Sequence, residues 1–345
     1  MINIRLLLIL LFTFKAFANM PPILSTKQDI TNMRFLSSDG KFTYYQRRSG
    51  DLLLSTNYEV KETLKGAAGS NYEIVASMAR RKLIVVQDEH YHTLYGLRFA
   101  KPIYGLDWGD NAPTKIGEGV APALHLDDSI VSIFNPSKKT ISFYNFSGSE
   151  LNFSIQTYNS ANPYLVPYVI MPNEKTVLFT DLNSQGIPGV IAFDKVSKKM
   201  RTIAKAGTIN SKFELCLGKN EIFIGQFAIG PYGKGSSIIS IPRTDSTMNT
   251  KTPLYESKAG DLGNMICDIE NDRLFFIKNT TDSSLKEKFE VAALSIKDKK
   301  IAILTTFDHV TQIINLDGKL LVPFQGKHYI LIGENNLGLD QLKGK

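Results

Sequence analysis

Seven short apolar strands, each opened by a polar turn and set 41 to 52 residues apart, predict an all-β fold. The expected architecture is a seven-bladed β-propeller of four-stranded antiparallel blades. Two further features agree. The stretch Tyr164 to Ile203 resolves into four apolar runs separated by turns, one complete meander. The last unit lacks a fourth strand, while an apolar segment from Ile23 to Thr26 stands unassigned ahead of the first unit. Pairing these two closes the ring and removes an exposed edge.

In chain order, the N-terminus comes first and reads as an export signal. Arg5 precedes a nine-residue apolar run, Leu6 to Phe14, and Ala16-Phe17-Ala18 supplies the small residues of a cleavage site. Such a run is far short of the ~20 residues that span a bilayer. The expected division is a signal peptide over 1–18, the propeller over 19–335 and a C-terminal tail over 336–345. The first cysteine is Cys216, so no lipid attachment residue follows the cleavage point. No later segment is long and apolar enough to be a transmembrane helix.

Losing Arg5 and Lys15 lowers the formal charge from +7 to +5, and the remaining basic residues are dispersed. A nucleic-acid surface needs a basic stripe with interleaved aromatics, so nucleic acid is excluded as a partner. The 43% hydrophobic and 21% charged content describes a globular chain with ample core.

The second strand of each unit begins at Phe42, Leu83, Ile130, Val177, Ile222, Leu274 and Leu320. Each follows a turn such as Ser38-Asp39-Gly40-Lys41 or Asn271-Asp272-Arg273, of the kind that tolerates positive φ in a tight hairpin. After each comes an apolar run, from Leu83-Ile84-Val85-Val86 to Leu274-Phe275-Phe276-Ile277. A single four-stranded sheet cannot cover two apolar faces, so successive sheets stack around an axis and bury one another. Unrelated hairpins in a sandwich would not keep a fixed period.

Two copies carry the pattern best: Met171 to Asp181 (MPNEKTVLFTD) and Leu36 to Tyr45 (LSSDGKFTYY). They resemble the TolB/WD40-like (PD40) repeats of bacterial periplasmic propellers. The resemblance implies the propeller fold. It assigns no active-site residue, because such families include docking proteins and enzymes alike.

Antiparallel order puts the second-to-third loops and the unit-to-unit linkers at one end of the ring, and the two hairpin turns at the other. The longer loops belong to the first end, which is the expected binding face. Trp108, flanked by Asp107 and Asp110, offers a stacking platform for a sugar or peptide, or else wedges between blades. The loop Ile229 to Gly235, with Tyr232 and Lys234, invites a phosphate nest but lacks the strand-loop-helix context of one. His90, His92, His309 and His328 map to the same face but come from units two and seven, which are not adjacent, so no metal and no cofactor is expected.

Asp181 to Gly189 imitates a calcium loop with Asp181, Asn183 and Gln185 at alternate positions, yet holds one carboxylate, and a plain turn accounts for it. Cys216 and Cys267 fall in the first strands of units five and six, one residue out of register, so their side chains can meet between neighbouring sheets. Either they form a disulfide, as an exported protein permits, or they are two small apolar residues.

Nucleophile, zincin and paired-carboxylate motifs do not occur. The sequence therefore points to a periplasmic or secreted propeller acting as a protein-binding or scaffolding module of the cell envelope. The alternative is a hydrolase or lyase acting on a carbohydrate or other small substrate at the axial mouth. Trp108, Asp110, His90, His92, His309 and His328 are the residues that would serve it.

Overall fold

The computed structural model describes residues 23–24, 33–38, 43–47, 52–56, 59–64, 71–76, 82–88, 101–107, 114–126, 129–158, 167–228, 235–245, 247–258, 261–268, 272–281, 287–307, 313–316, 319–324 and 328–332. Side chains are described at 103 and within 114–313. All the regular structure among these residues is β-strand.

The chain opens with β1 (Ile23–Leu24). The first unit is the sheet β2 (Met33–Ser38), β3 (Thr43–Arg47), β4 (Leu52–Thr56) and β5 (Glu59–Leu64). A seven-stranded sheet follows: β6 (Asn71–Ala76), β7 (Lys82–Asp88), β8 (Lys101–Asp107), β9 (Thr114–His125), β10 (Ile130–Asn135), β11 (Thr140–Asn145) and β12 (Glu150–Gln156). The fourth unit is β13 (Val169–Ile170), β14 (Thr176–Leu182), β15 (Pro188–Asp194) and β16 (Met200–Lys205). The fifth is β17 (Ser211–Leu217), β18 (Glu221–Ala228), β19 (Ser236–Pro242) and β20 (Thr252–Ser257). The sixth is β21 (Gly263–Asp268), β22 (Arg273–Thr281), β23 (Glu287–Ser295) and β24 (Ile301–Phe307). The last sheet joins β25 (Ile314–Leu316), β26 (Lys319–Phe324) and β27 (His328–Ile332) to β1.

The strand starts read from the sequence fall where expected. Leu83, Ile130, Val177, Ile222, Leu274 and Leu320 all lie in second strands, and Phe42, just ahead of β3, lies outside the described residues. One difference is that the second and third units are not separate sheets. Thr114 to Gly119 of β9 pairs with β8 as an outer strand, while Val120 to His125 pairs with β10 as an inner one. Gly119 sits at the join, where a Cβ would stand 2.4 Å from the Phe134 carbonyl oxygen. Two residues on, Ala121 takes a φ of 48°, the left-handed bend that turns the strand from one unit into the next.

The core lies between sheets. Leu274, Phe275, Phe276 and Ile277 of β22 are all 0% exposed. Leu274 and Phe276 pack with Phe223 and Phe227 of the fifth unit, whereas Phe275 and Ile277 pack with Ile313 ahead of β25. The period of two along the strand thus feeds two cores, and each such burial contributes ~1.5–3 kcal/mol. β14 divides in the same way: Val177 and Phe179 face the third unit, Leu178 the fifth. Between third and fourth strands a register shift recurs, at Leu54/Ser55, Ile103/Tyr104, Ser142/Tyr144, Val190/Ile191, Ile238/Ile239 and Val291/Ala292. Each shift adds local twist to the outer strand.

First strands touch in the order β2, β6, β9, β13, β17, β21, β25, and β25 returns to β2. The ring closes as expected, with β1 antiparallel to β27 through the pairs Ile23–Ile330 and Leu24–Tyr329. Residues 1–18 and 336–345 lie outside the described residues.

Candidate functional site

A cavity of about 790 Å³ opens at the hairpin-turn end of the ring, among the third, fourth and fifth units. It is the opposite end from the one that loop length favoured. Its volume is that of a ligand site, roughly 300–1,000 Å³.

Its walls are turns whose conformations are fixed by local hydrogen bonds. In the third unit, Leu126 adopts a φ of 47°, and Ser129 donates its Oγ–H to the Leu126 carbonyl at 2.7 Å. Leu126 and Ile130 line this side. In the fourth unit, Asn173 Oδ1 accepts the backbone N–H groups of Lys175 and Thr176, both at 2.9 Å. This Asx turn presents Glu174 to the rim, above a Met171 that is 1% exposed. Asp194 Oδ1 accepts the N–H groups of Val196 and Ser197, both at 2.8 Å, and the Lys195 N–H donates to the Lys175 carbonyl at 2.8 Å. The fourth unit's two hairpin turns are thereby tied together, with Lys195 between them.

The fifth unit contributes Leu217 and Arg243. Nε and Nη2 of Arg243 donate to the Pro172 carbonyl at 3.1 and 2.7 Å, and Nη1 reaches the carbonyls of Gly218 and Lys219 at 3.3 Å each. This guanidinium clamps the fourth unit to the fifth. None of the described carboxylates pairs with it. Lys195 Nζ lies 4.7 Å above the Phe153 ring. Burial lowers its pKa, nearby Glu174 opposes that shift and Lys198 adds to it. Lys195 donates no side-chain hydrogen bond to any described residue. The lining thus sets four apolar side chains beside Ser129, two cations and one carboxylate, and its exposed surface is mainly polar.

His90, His92, Trp108, Asp110, Tyr232, Lys234 and His309 lie outside the described residues. The backbone of His328 opens β27 opposite Phe324. At the imitation calcium loop, Asp181 is 4% exposed and its two oxygens accept the N–H groups of Tyr158 and Leu182, both at 2.8 Å. Asn183 Oδ1 accepts from Gln185 and Ile187, both at 2.9 Å. The Asn183 oxygen holds the loop between β14 and β15, and Asp181 ties that strand to Tyr158 beyond β12. Among the described residues no group of three His, Cys, Asp or Glu side chains could hold a metal.

Cys216 lies opposite Phe223 and Cys267 opposite Leu274, one step out of phase relative to the strand starts Ile222 and Leu274. Their Cα atoms are 6.1 Å apart across the interface of units five and six, joined as a disulfide. Beside it Glu214, 4% exposed on β17, accepts the N–H groups of Asn264 and Met265 of β21 at 3.1 and 2.6 Å. Strands lining the axis are thus bonded across that interface as well as packed.

No protein-family model and no curated protein matches this sequence. Solved structures do. The oligogalacturonate lyase of Vibrio parahaemolyticus is 11% identical over 90% of each chain, with a TM-score of 0.56. The Cps50 (Swd1) β-propeller domain of Myceliophteria thermophila is 11% identical over 91% of this chain and 99% of its own, with a TM-score of 0.57. Kuenenia stuttgartiensis hydrazine synthase is 10% identical over 87% and 94%, with a TM-score of 0.54. The fold is a β-propeller, and the resemblance to WD40-like propellers seen in the repeats holds at that level. At such identities the likeness extends no further than the fold. Among the described residues no helix is long and apolar enough to cross a membrane.

Proposed function

We propose that this chain is an exported β-propeller, periplasmic or secreted, that acts as a protein-binding or scaffolding module of the cell envelope. The observation that carries the reading is the cavity at the hairpin-turn end. Turns of three successive units build it, and their own hydrogen bonds hold them in place, so a partner meets a preformed surface and loses little affinity to ordering it. Export rests on the charge, apolar run and small residues within 1–18.

Affinity capture from native envelope, with the mature chain as bait, should return a stoichiometric protein partner, and the mature chain should begin at Asn19. Catalysis on a carbohydrate is the competing outcome, since the propeller of an oligogalacturonate lyase has this fold. If no partner is recovered and the purified protein cleaves a glycan, the binding reading fails.

A further inference from the structure

We infer that the hairpin-turn end of the fourth to sixth units docks on an anionic lipid surface through two convex hairpin tips. Each tip sets exposed aliphatic side chains among lysines. The inference goes beyond the protein-binding reading and does not use the cavity.

The first tip is the turn from β15 to β16. Val196 stands at its middle and, at 75%, is the most exposed large apolar side chain among the described residues. Met200, which opens β16, is exposed as well. A lone exposed valine needs no explanation. Its company does, because Lys198, Lys199 and Arg201 follow it and are all exposed. Lys195 and Lys198 lie 4.7 and 5.6 Å over the Phe153 ring of β12, which steadies the turn against the third unit. The turn's own carboxylate, Asp194, spends Oδ1 on the N–H groups of Val196 and Ser197.

The second tip, from β23 to β24, repeats the first. The Asp194 N–H donates to the Lys199 carbonyl and the Ser295 N–H to the Lys300 carbonyl, both at 2.9 Å. Lys198 and Lys299 take matching φ values of 58° and 55°. Lys297, Lys299 and Lys300 are exposed here, beside the exposed Ile301 and Ile303 of β24. Asp298 accepts the Ser295 Oγ–H at 3.3 Å. Between the tips, the fifth unit buries Met248 and ties Lys251 Nζ to the Ile203 carbonyl at 2.6 Å, so its turn offers no aliphatic tip. The cations are scattered along the sequence. Antiparallel order brings both turns to one end of the ring, where a flat surface meets them together.

The aliphatic tips choose among anions. A small phosphate ligand needs converging donors, and these lysines stand on separate units. An acidic protein answers the lysines, but exposed side chains gain from a protein surface only where pockets match them. A lipid surface takes both at once. Its headgroups attract the lysines, and the interface beneath accepts valine, methionine and isoleucine without matching their shape.

The test is co-sedimentation of the full mature chain with vesicles of phosphatidylglycerol and phosphatidylcholine in equal parts, and with phosphatidylcholine alone. The chain should bind the anionic vesicles and not the neutral ones, and binding should weaken as salt rises. Lys198→Gln, Lys199→Gln, Lys299→Gln and Lys300→Gln together should weaken it at least about tenfold. Lys138→Gln with Lys139→Gln, in an exposed turn at the opposite end, should leave it unchanged. Val196→Ser should weaken it by roughly threefold, through the apolar contribution alone. No binding to anionic vesicles, equal binding to neutral ones, an equal loss from the Lys138 and Lys139 pair, or indifference to Val196→Ser would each overturn the inference. Polyglutamate bound by the native chain without any vesicle binding would do so too, in favour of an acidic protein. The protein-binding reading is separable: a partner captured by a chain that ignores vesicles sustains it while this inference falls.

Discussion

Of the five histidines, His125 is the one whose surroundings the structure describes, and it is buried, with its Nε2 2.8 Å from Ser132 Oγ. Burial lowers its pKa from 6.5 to about 4, so the ring is neutral in the fold at neutral pH. An unfolded chain takes up the proton near 6.5 while the folded one resists it until about 4. Stability is therefore fully present above the higher value and is lost as pH falls between the two. At pH 4.5 the loss from this ring is roughly 2–3 kcal/mol. His125→Gln keeps a polar group beside Ser132 and removes the titration. Urea midpoints at pH 7.5 and 4.5 should differ less in the variant than in the native chain, and an unchanged difference would refute the assignment. None of this was legible in the sequence, where a histidine closing a strand looks like any surface imidazole. The cavity residues were equally hidden. Lys195, Glu174 and Arg243 are ordinary turn residues until three units bring them to one place.

At the scale of the element, the second strands were the most legible part of the chain. Their apolar runs are continuous because both faces are buried, as the two clusters around β22 show. The fusion of the second and third units through β9 was not legible. Two strands that run on without a loop look the same as two strands with a short one, and the join is marked by the approach of Gly119 to Phe134 and the left-handed Ala121. The cysteine register was readable from the period of two, since a one-residue offset sends two side chains to opposite faces. We expect Cys216 and Cys267 to be bridged in the exported protein. The bridge would close a span of 51 residues and contribute about 2–4 kcal/mol, mainly by restricting the unfolded chain. Alkylation of the unfolded protein should add mass only after reduction, and the double variant Cys216→Ser, Cys267→Ser should melt lower. Alkylation without reductant would refute the bridge.

For the whole molecule, the ring's most exposed weakness is the place where its two ends meet. Each complete unit carries its own outer strand, but the last borrows β1, so one short antiparallel pairing, Ile23 with Ile330 and Leu24 with Tyr329, stands between a closed ring and a bare edge at β27. That edge belongs to His328-Tyr329-Ile330-Leu331-Ile332, an apolar strand with no Pro to block pairing with another chain. Closure also couples the two ends of the sequence, so unfolding of the last unit frees the segment ahead of the first. Removing residues 19–26 from the mature chain leaves every other strand intact and should do two things. The melting temperature should fall by several degrees, as the loss of ~1–2 kcal/mol implies for a chain of this size. Light scattering should also show concentration-dependent self-association as β27 pairs between molecules. Restoring the segment with Ile23→Lys and Leu24→Lys should recover monomers ahead of full stability, because charged edges resist pairing even where they pack poorly. A truncated chain that stays monomeric and melts with the native one would mean that the last unit is held by its inner contacts, from β25 to β2 and β21, and not by closure.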